Sequence, residues 1–182
     1  MNRLIHTLAL IALLLVAPLA RAELKVLACE PEWGALVKEL AGDKVSVYVA
    51  TTALQDPHRI EARPSLVAAA RNAGLVVCTG AELEVGWLPL LIRQSGNSAI
   101  QPGKPGHFEA AAYVRMLDVP QRLDRADGDV HAAGNPHIQT DPRNIALVAE
   151  PLALRLAELD PANAATYQAR SADFLTRWKA AI

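Results

Sequence analysis

Two short triplets carry the residues best suited to chemistry. Asp56-Pro57-His58 and Asn135-Pro136-His137 share one pattern, an Asx residue, a proline and a histidine. They lie 79 residues apart in a chain with five histidines. Proline fixes its own φ and biases the residue before it towards an extended backbone, so each imidazole is presented from a segment of restricted shape. Imidazole ligates borderline divalent metals, zinc readily, and two imidazoles from different loops make half of a tetrahedral site. Either histidine alone reads more simply as a turn residue. The repeated triplet shifts the balance to a pair of metal ligands, His58 and His137. Such ligands bind only when deprotonated, so affinity is expected to fall as the pH drops through ~6.5.

The elements that must hold these loops follow from periodicity. Leu24 to Ala28 reads as a short buried strand. Trp33, Leu36, Val37 and Leu40 follow at helical spacing, with Gly42 as a stop. Val45, Val47 and Val49 alternate with polar neighbours as a strand does, and Pro64 is placed to start a helix that Gly74 ends. Leu75 to Cys78 is a third strand, Glu84 to Gln94 a helix, and Ala99-Ile100 a short fourth strand. This β-α order predicts an α/β fold with a four-stranded parallel sheet flanked by helices. Ligands of such sheets bind beyond the C-terminal strand ends, where the His58 loop would lie. Residues 101–142 read as a loop region with one short element near Tyr113 to Leu117. Asp141-Pro142 and Asp160-Pro161 each read as an N-cap followed by a first-turn proline, and Pro151 is expected to kink or interrupt the first of these helices. In the second, Tyr167, Ser171, Phe174, Leu175, Trp178 and Ile182 share one face, still apolar at the last residue.

The first 22 residues have the make-up of a cleavable secretory signal: Arg3, an apolar run from Leu8 to Val16, then Ala20-Arg21-Ala22. The run is too short to span a bilayer. A lipid-anchoring reading of Val26-Leu27-Ala28-Cys29 is disfavoured because Glu23 and Lys25 separate the cysteine from the apolar run. Residues 23–182 then form a mature chain of 160 residues with 16 basic and 19 acidic side chains, which suits one domain. No basic patch recommends nucleic acid or an anionic membrane. Export permits a disulfide between Cys29 and Cys78, and two small buried apolar residues is an equal reading.

Four motifs in order resemble the zinc/manganese solute-binding proteins of bacterial ABC transporters. They are Asp56-Pro57-His58-Arg59-Ile60-Glu61 ahead of Pro64; Thr79-Gly80-Ala81-Glu82-Leu83-Glu84 with Trp87; Asn135-Pro136-His137 through Asp141-Pro142; and Leu156 through Asp160-Pro161-Ala162-Asn163 to Tyr167. The resemblance covers the whole mature chain. It implies that His58 and His137 match the family's two N-lobe metal ligands and that the remaining ligands come from a second lobe. It also implies residues 23–142 as an N-terminal metal-binding lobe, 143–182 as a helical segment entering the interlobe helix, and a C-terminal lobe absent from this sequence. The implied activity is periplasmic capture of a divalent ion, zinc first and manganese as the alternative, by a monomer that delivers it to an ABC permease. Ile60 and Gln139 stand where the family often has aromatics, and His131 is the one histidine between Asp124 and Gly134, where zinc members often have several. His131 reads first as an exposed loop residue, with contact to the metal as the alternative. His107 reads as a loop residue, and Glu61 as a support for its loop or an acceptor that orients His58.

Two other classes compete. A two-histidine centre with a carboxylate could be a hydrolytic zinc site. The chain has no His-Glu-x-x-His, nucleophile elbow, P-loop or Gly-x-Gly-x-x-Gly to support an enzyme. A metal-free adhesin or binding module on the same fold would leave the paired histidines without a role.

Overall fold

The structure is a computed structural model that describes residues 22–182 apart from 125, 127 and 129. The signal segment expected over residues 1–22 thus lies outside the described residues except for Ala22. Strands β1 (Leu24–Ala28), β2 (Val45–Val49), β3 (Leu75–Cys78) and β4 (His107–Glu109) form one sheet in the order β2-β1-β3-β4. All three pairings are parallel: Val26 lies opposite Val47 and Leu75, and Val77 opposite Phe108. The expected α/β sheet is therefore present.

Alternation along the central strands divides the interior in two, because successive side chains point to opposite faces. Val26, Ala28, Leu75 and Val77 pack with helix α1 (Pro31–Ala41) and the two C-terminal helices, α4 (Pro142–Leu159) and α5 (Ala164–Ala181). Leu27, Cys29, Val76 and Cys78 pack on the other side with α2 (Pro64–Asn72) and α3 (Leu88–Ser95). Trp33, Val37, Leu40 and Leu152 are fully buried in the first layer. Each large apolar side chain so removed from water contributes about 1.5–3 kcal/mol.

Several sequence expectations are corrected. Ala99-Ile100 belongs to a 3-10 turn, Ser98–Ile100, whose start is capped by the Asn97 side chain. The fourth strand comes later, at His107–Glu109, where pairing with β3 rather than residue pattern makes the strand. The third helix starts at Leu88, four residues after the expected Glu84. The short element after β4 is a 3-10 turn at Ala110–Tyr113. Helix α4 runs through Pro151 without interruption. Proline removes only one N–H, and the buried face of Val148, Ala149, Leu152, Ala153 and Leu156 holds both halves to the core. Asp160-Pro161 opens a 3-10 turn, Pro161–Asn163, before α5 begins. Here Asp160 Oδ2 accepts from Tyr167 Oη (2.5 Å) and Asn163 Nδ2 (2.7 Å), which explains the spacing of those three residues. Among the described residues no helix is long and apolar enough to cross a membrane.

Candidate metal centre

His58 lies in the loop between β2 and α2, beyond the C-terminal end of the sheet. Its backbone N–H donates to Asp56 Oδ1 (3.0 Å), closing an Asx turn across Pro57. Its ring Nδ1 is 2.8 Å from the same oxygen, which places the Nδ1 proton towards Asp56 and leaves the lone pair on Nε2. The His58 backbone N–H and then its ring hold the Asp56 carboxyl below its ordinary value, although Asp56 is exposed. The residue that orients the imidazole is thus Asp56, within the triplet itself. Glu61, expected in that role, is exposed, and its carbonyl accepts from Arg63 N–H.

The loop rests on the segment after β3. Trp87 Nε1 donates to Pro57 O (2.7 Å) from a buried position. Gly86 lies so close that a Cβ there would sit 2.7 Å from His58 O. Thus two backbone carbonyls flanking the imidazole are held by a buried indole and by a residue with no side chain.

His137 repeats the local device. Its N–H donates to Asn135 Oδ1 (3.1 Å), the same Asx turn across a proline. Its carbonyl accepts from Thr140 N–H (3.2 Å) and Thr140 Oγ1 (2.8 Å), joining the turn to the N-cap of α4 at Asp141. The two rings stand with centroids 5.5 Å apart, inclined by 72°. Two imidazoles sharing a tetrahedral ion at 2.0–2.1 Å per bond have centroids about 5 Å apart. The separation of His58 and His137 therefore suits a common ion, and both lie in one cleft of about 280 Å³ with Asp118, His131 and Asn135.

His131, read first as an exposed loop residue, is half-buried in this cleft, its ring centroid 5.3 Å from that of His58. His107 stands apart in β4, its side chain 7 % exposed, with Nδ1 3.0 Å from Ile100 O and Nε2 3.1 Å from Glu109 Oε1. The hydrogen bond to the Glu109 carboxylate raises the His107 pKa against the opposing effect of burial.

A second group of ligand-type residues lies beneath the loops. Cys29 and Cys78 form a disulfide. Their sulfurs and a Glu84 oxygen lie within 4.8 Å of one another, the only such trio of His, Cys, Asp or Glu among the described residues. The disulfide leaves no thiolate to ligate a metal, and no thiol at Cys29 for a lipid. Glu84 accepts from the N–H groups of Thr79 (2.7 Å) and Gly80 (3.0 Å). Glu30 faces it and accepts from Thr79 Oγ1 (3.3 Å), which in turn accepts from Trp33 Nε1 (2.8 Å). Burial, then the Glu84 charge, pushes the Glu30 carboxyl up to about 10. The backbone donors oppose the rise at Glu84, so the proton of the pair sits on Glu30. The second motif therefore builds a support: a turn with Gly80, Ala81 and Glu82 all at positive φ, fixed by Glu84 and leading to Trp87.

Sequence reasoning missed Asp56 as the orienting group and held the approach of His131 only as a second reading. A signal for the first was present, since an Asx side chain commonly bonds the backbone two residues on.

The family described as zinc-uptake complex component A, periplasmic, matches residues 26–182. Among curated relatives, the metal ABC transporter substrate-binding lipoprotein ScbA of Streptococcus cristatus is 27 % identical over 150 residues, 81 % of this chain and 45 % of its own. The manganese ABC transporter substrate-binding lipoprotein scaA of Streptococcus gordonii is likewise 27 % identical over 150 residues, with the same shares. The chain thus spans about half the length of these relatives. A solved zinc-bound deletion mutant of ZnuA superposes with a TM-score of 0.69 at 28 % identity, over 86 % of this chain and 54 % of that one. With a match running from β1 to the last residue, and a sheet and helices that superpose on a solved member, the chain belongs to the ZnuA family of periplasmic zinc-uptake components.

Proposed function

We propose that this chain is the metal-capturing part of a substrate-binding protein, taking up a divalent transition metal outside the cytoplasmic membrane and passing it to an ABC permease. The observation that carries the reading is the pair His58 and His137, set on matching Asx turns with rings 5.5 Å apart. Residues 23–142 supply the binding lobe and 143–182 the helical segment that continues from it; a cleaved signal over 1–22 accounts for export. The protein acts as a monomer, and capture requires no turnover. Zinc is the favoured cargo because the two assigned donors are neutral nitrogens, which suit zinc better than manganese. Relatives named for manganese keep that metal as the alternative.

The test is a competition titration of the purified protein with zinc against a chromophoric chelator, repeated with His58→Ala and His137→Ala. Binding at micromolar affinity or better, lost in both variants, supports capture at this cleft. A folded parent protein that takes up neither zinc nor manganese would overturn it.

A further inference from the structure

We propose that the Cys29–Cys78 disulfide is a positioning element of the capture site, so that the protein binds its metal tightly with the bridge closed and weakly when the two sulfurs are thiols. The proposal rests on the capture reading above and adds redox control to it.

The bridge lies where both histidine loops are held. On one side, Cys29 O accepts from Thr51 Oγ1 (2.9 Å), a buried bond at the base of the loop that carries His58. On the other, Cys78 leads directly into the turn of residues 79–82. Glu84 fixes that turn through the N–H groups of Thr79 and Gly80. Just beyond it Trp87 donates to Pro57 O, and Gly86 lies against His58 O. From the same turn Glu82 Oε2 accepts from Ala132 N–H (2.6 Å), in the loop that leads to His137. The registered pairing of β1 with β3 ends at Ala28 opposite Val77, so the disulfide carries the tie one residue further, to the roots of the loops. It thus joins the start of the His58 loop to the turn that backs both ligand segments.

Both cysteines are fully buried, which shields the sulfurs from an external thiol once the protein is folded. The redox state is therefore set as the chain folds. Closure joins the two sulfurs while an incoming protein disulfide accepts their two electrons and two protons and leaves as a dithiol; opening is the reverse exchange. A chain folded with two thiols keeps its ligands but lacks the covalent tie beneath them. Turns that must be ordered as the metal binds lower its affinity.

The experiment titrates three forms with zinc and with manganese against a chromophoric chelator. They are the oxidised protein, the same protein unfolded, reduced with a phosphine and refolded without oxygen, and Cys29→Ser/Cys78→Ser. Leu152→Ala, in the opposite core layer, controls for lost stability alone. We expect metal affinity to fall about tenfold or more in both unbridged forms at unchanged stoichiometry. It should recover when the reduced form is re-oxidised, and Leu152→Ala should match the parent. Equal affinity with the bridge open and closed, or a like fall in Leu152→Ala, overturns the positioning role and leaves the capture site standing. Failure of both unbridged forms to fold makes the bridge a condition of folding instead, and overturns it equally. A folded, oxidised protein that binds neither metal overturns the capture reading, and this proposal with it.

Discussion

Two clusters of ligand-type side chains lie at the C-terminal end of the sheet, and they differ in what surrounds them. The lower one, Cys29, Glu30, Cys78 and Glu84, is buried and closed on itself by a disulfide, two backbone N–H donors and a proton held on Glu30. The upper one, His58, His131 and His137, stands in an open cleft. In the lower cluster donor atoms are closer together, yet the sulfurs are joined in a disulfide and the Glu84 oxygens accept from backbone N–H groups. In the upper cluster the turns hold the imidazoles by their backbones and, at His58, by Nδ1, directing Nε2 away from Asp56. Proximity of donors therefore does not identify a receptor; imidazoles presented by shaped turns to an accessible cleft do.

The sharpest way to break this contrast is to open the lower cluster. Replacing Cys29 and Cys78 together by alanine is expected to cost about 2–4 kcal/mol in urea unfolding, since the bridge closes a long loop. Zinc stoichiometry should stay the same. A lost zinc equivalent would show that the lower cluster ligates metal.

Asp56→Ala acts on the upper cluster alone. Outer partners of a ligating histidine are worth about 10–100-fold in metal affinity, so zinc binding should weaken by that factor. The melting temperature should hardly change, because Asp56 is exposed. Titration against a chelator reads the first effect and calorimetry the second.

Glu30 tests the lower cluster by pH. An ordinary glutamic acid loses its proton near 4.5, whereas folded Glu30 keeps it to about 10. Between those values the folded state binds the extra proton. Stability from this group is therefore greatest below pH 4.5, declines as the pH rises through the window and levels off above about 10, with a slope of at most about 1.4 kcal/mol per pH unit. Glu84, also raised by burial, adds in the same direction. Glu30→Gln should flatten this decline in denaturant midpoints measured from pH 5 to 9; an unchanged slope would sink the assignment of the proton.

The smallest effect concerns the link between the clusters. Trp87→Phe removes the bond to Pro57 O while keeping most of the buried ring. A loss of about 1 kcal/mol in stability is expected. A several-fold fall in zinc affinity should accompany it, because the His58 loop loses its support from below. Stability loss with unchanged affinity would separate the support from the site.

Much of the frame was legible in sequence. β1 and β3 declared themselves through runs of aliphatic residues, β2 through the alternation of Val45, Val47 and Val49, and α1 through the spacing of Trp33, Leu36, Val37 and Leu40. The fourth strand was not legible: three residues beginning with a histidine carry no periodicity, and only the ladder to β3 defines it. The Asx-Pro-His repeat announced both turns because the hydrogen bond that shapes each spans only two residues. Asp56 and not Glu61 orients His58 because the nearer carboxylate already closes the turn.

Contacts across long sequence separations were decided by tertiary structure alone. Cys29 and Cys78 were equally readable as a bridge or as two buried thiols until β1 and β3 were paired side by side. His131 was readable from sequence only as a loop residue or a metal contact, and its approach to His58 depends on a loop that Glu82, 50 residues before Ala132, helps to hold. The amino-acid sequence by itself determined the first three strands, the helices with strong apolar stripes and the two histidine turns, since each depends on neighbours a few residues away. Which side chains share a cleft and which are sealed beneath it was decided by packing, because burial and pairing depend on residues the chain brings together only when folded.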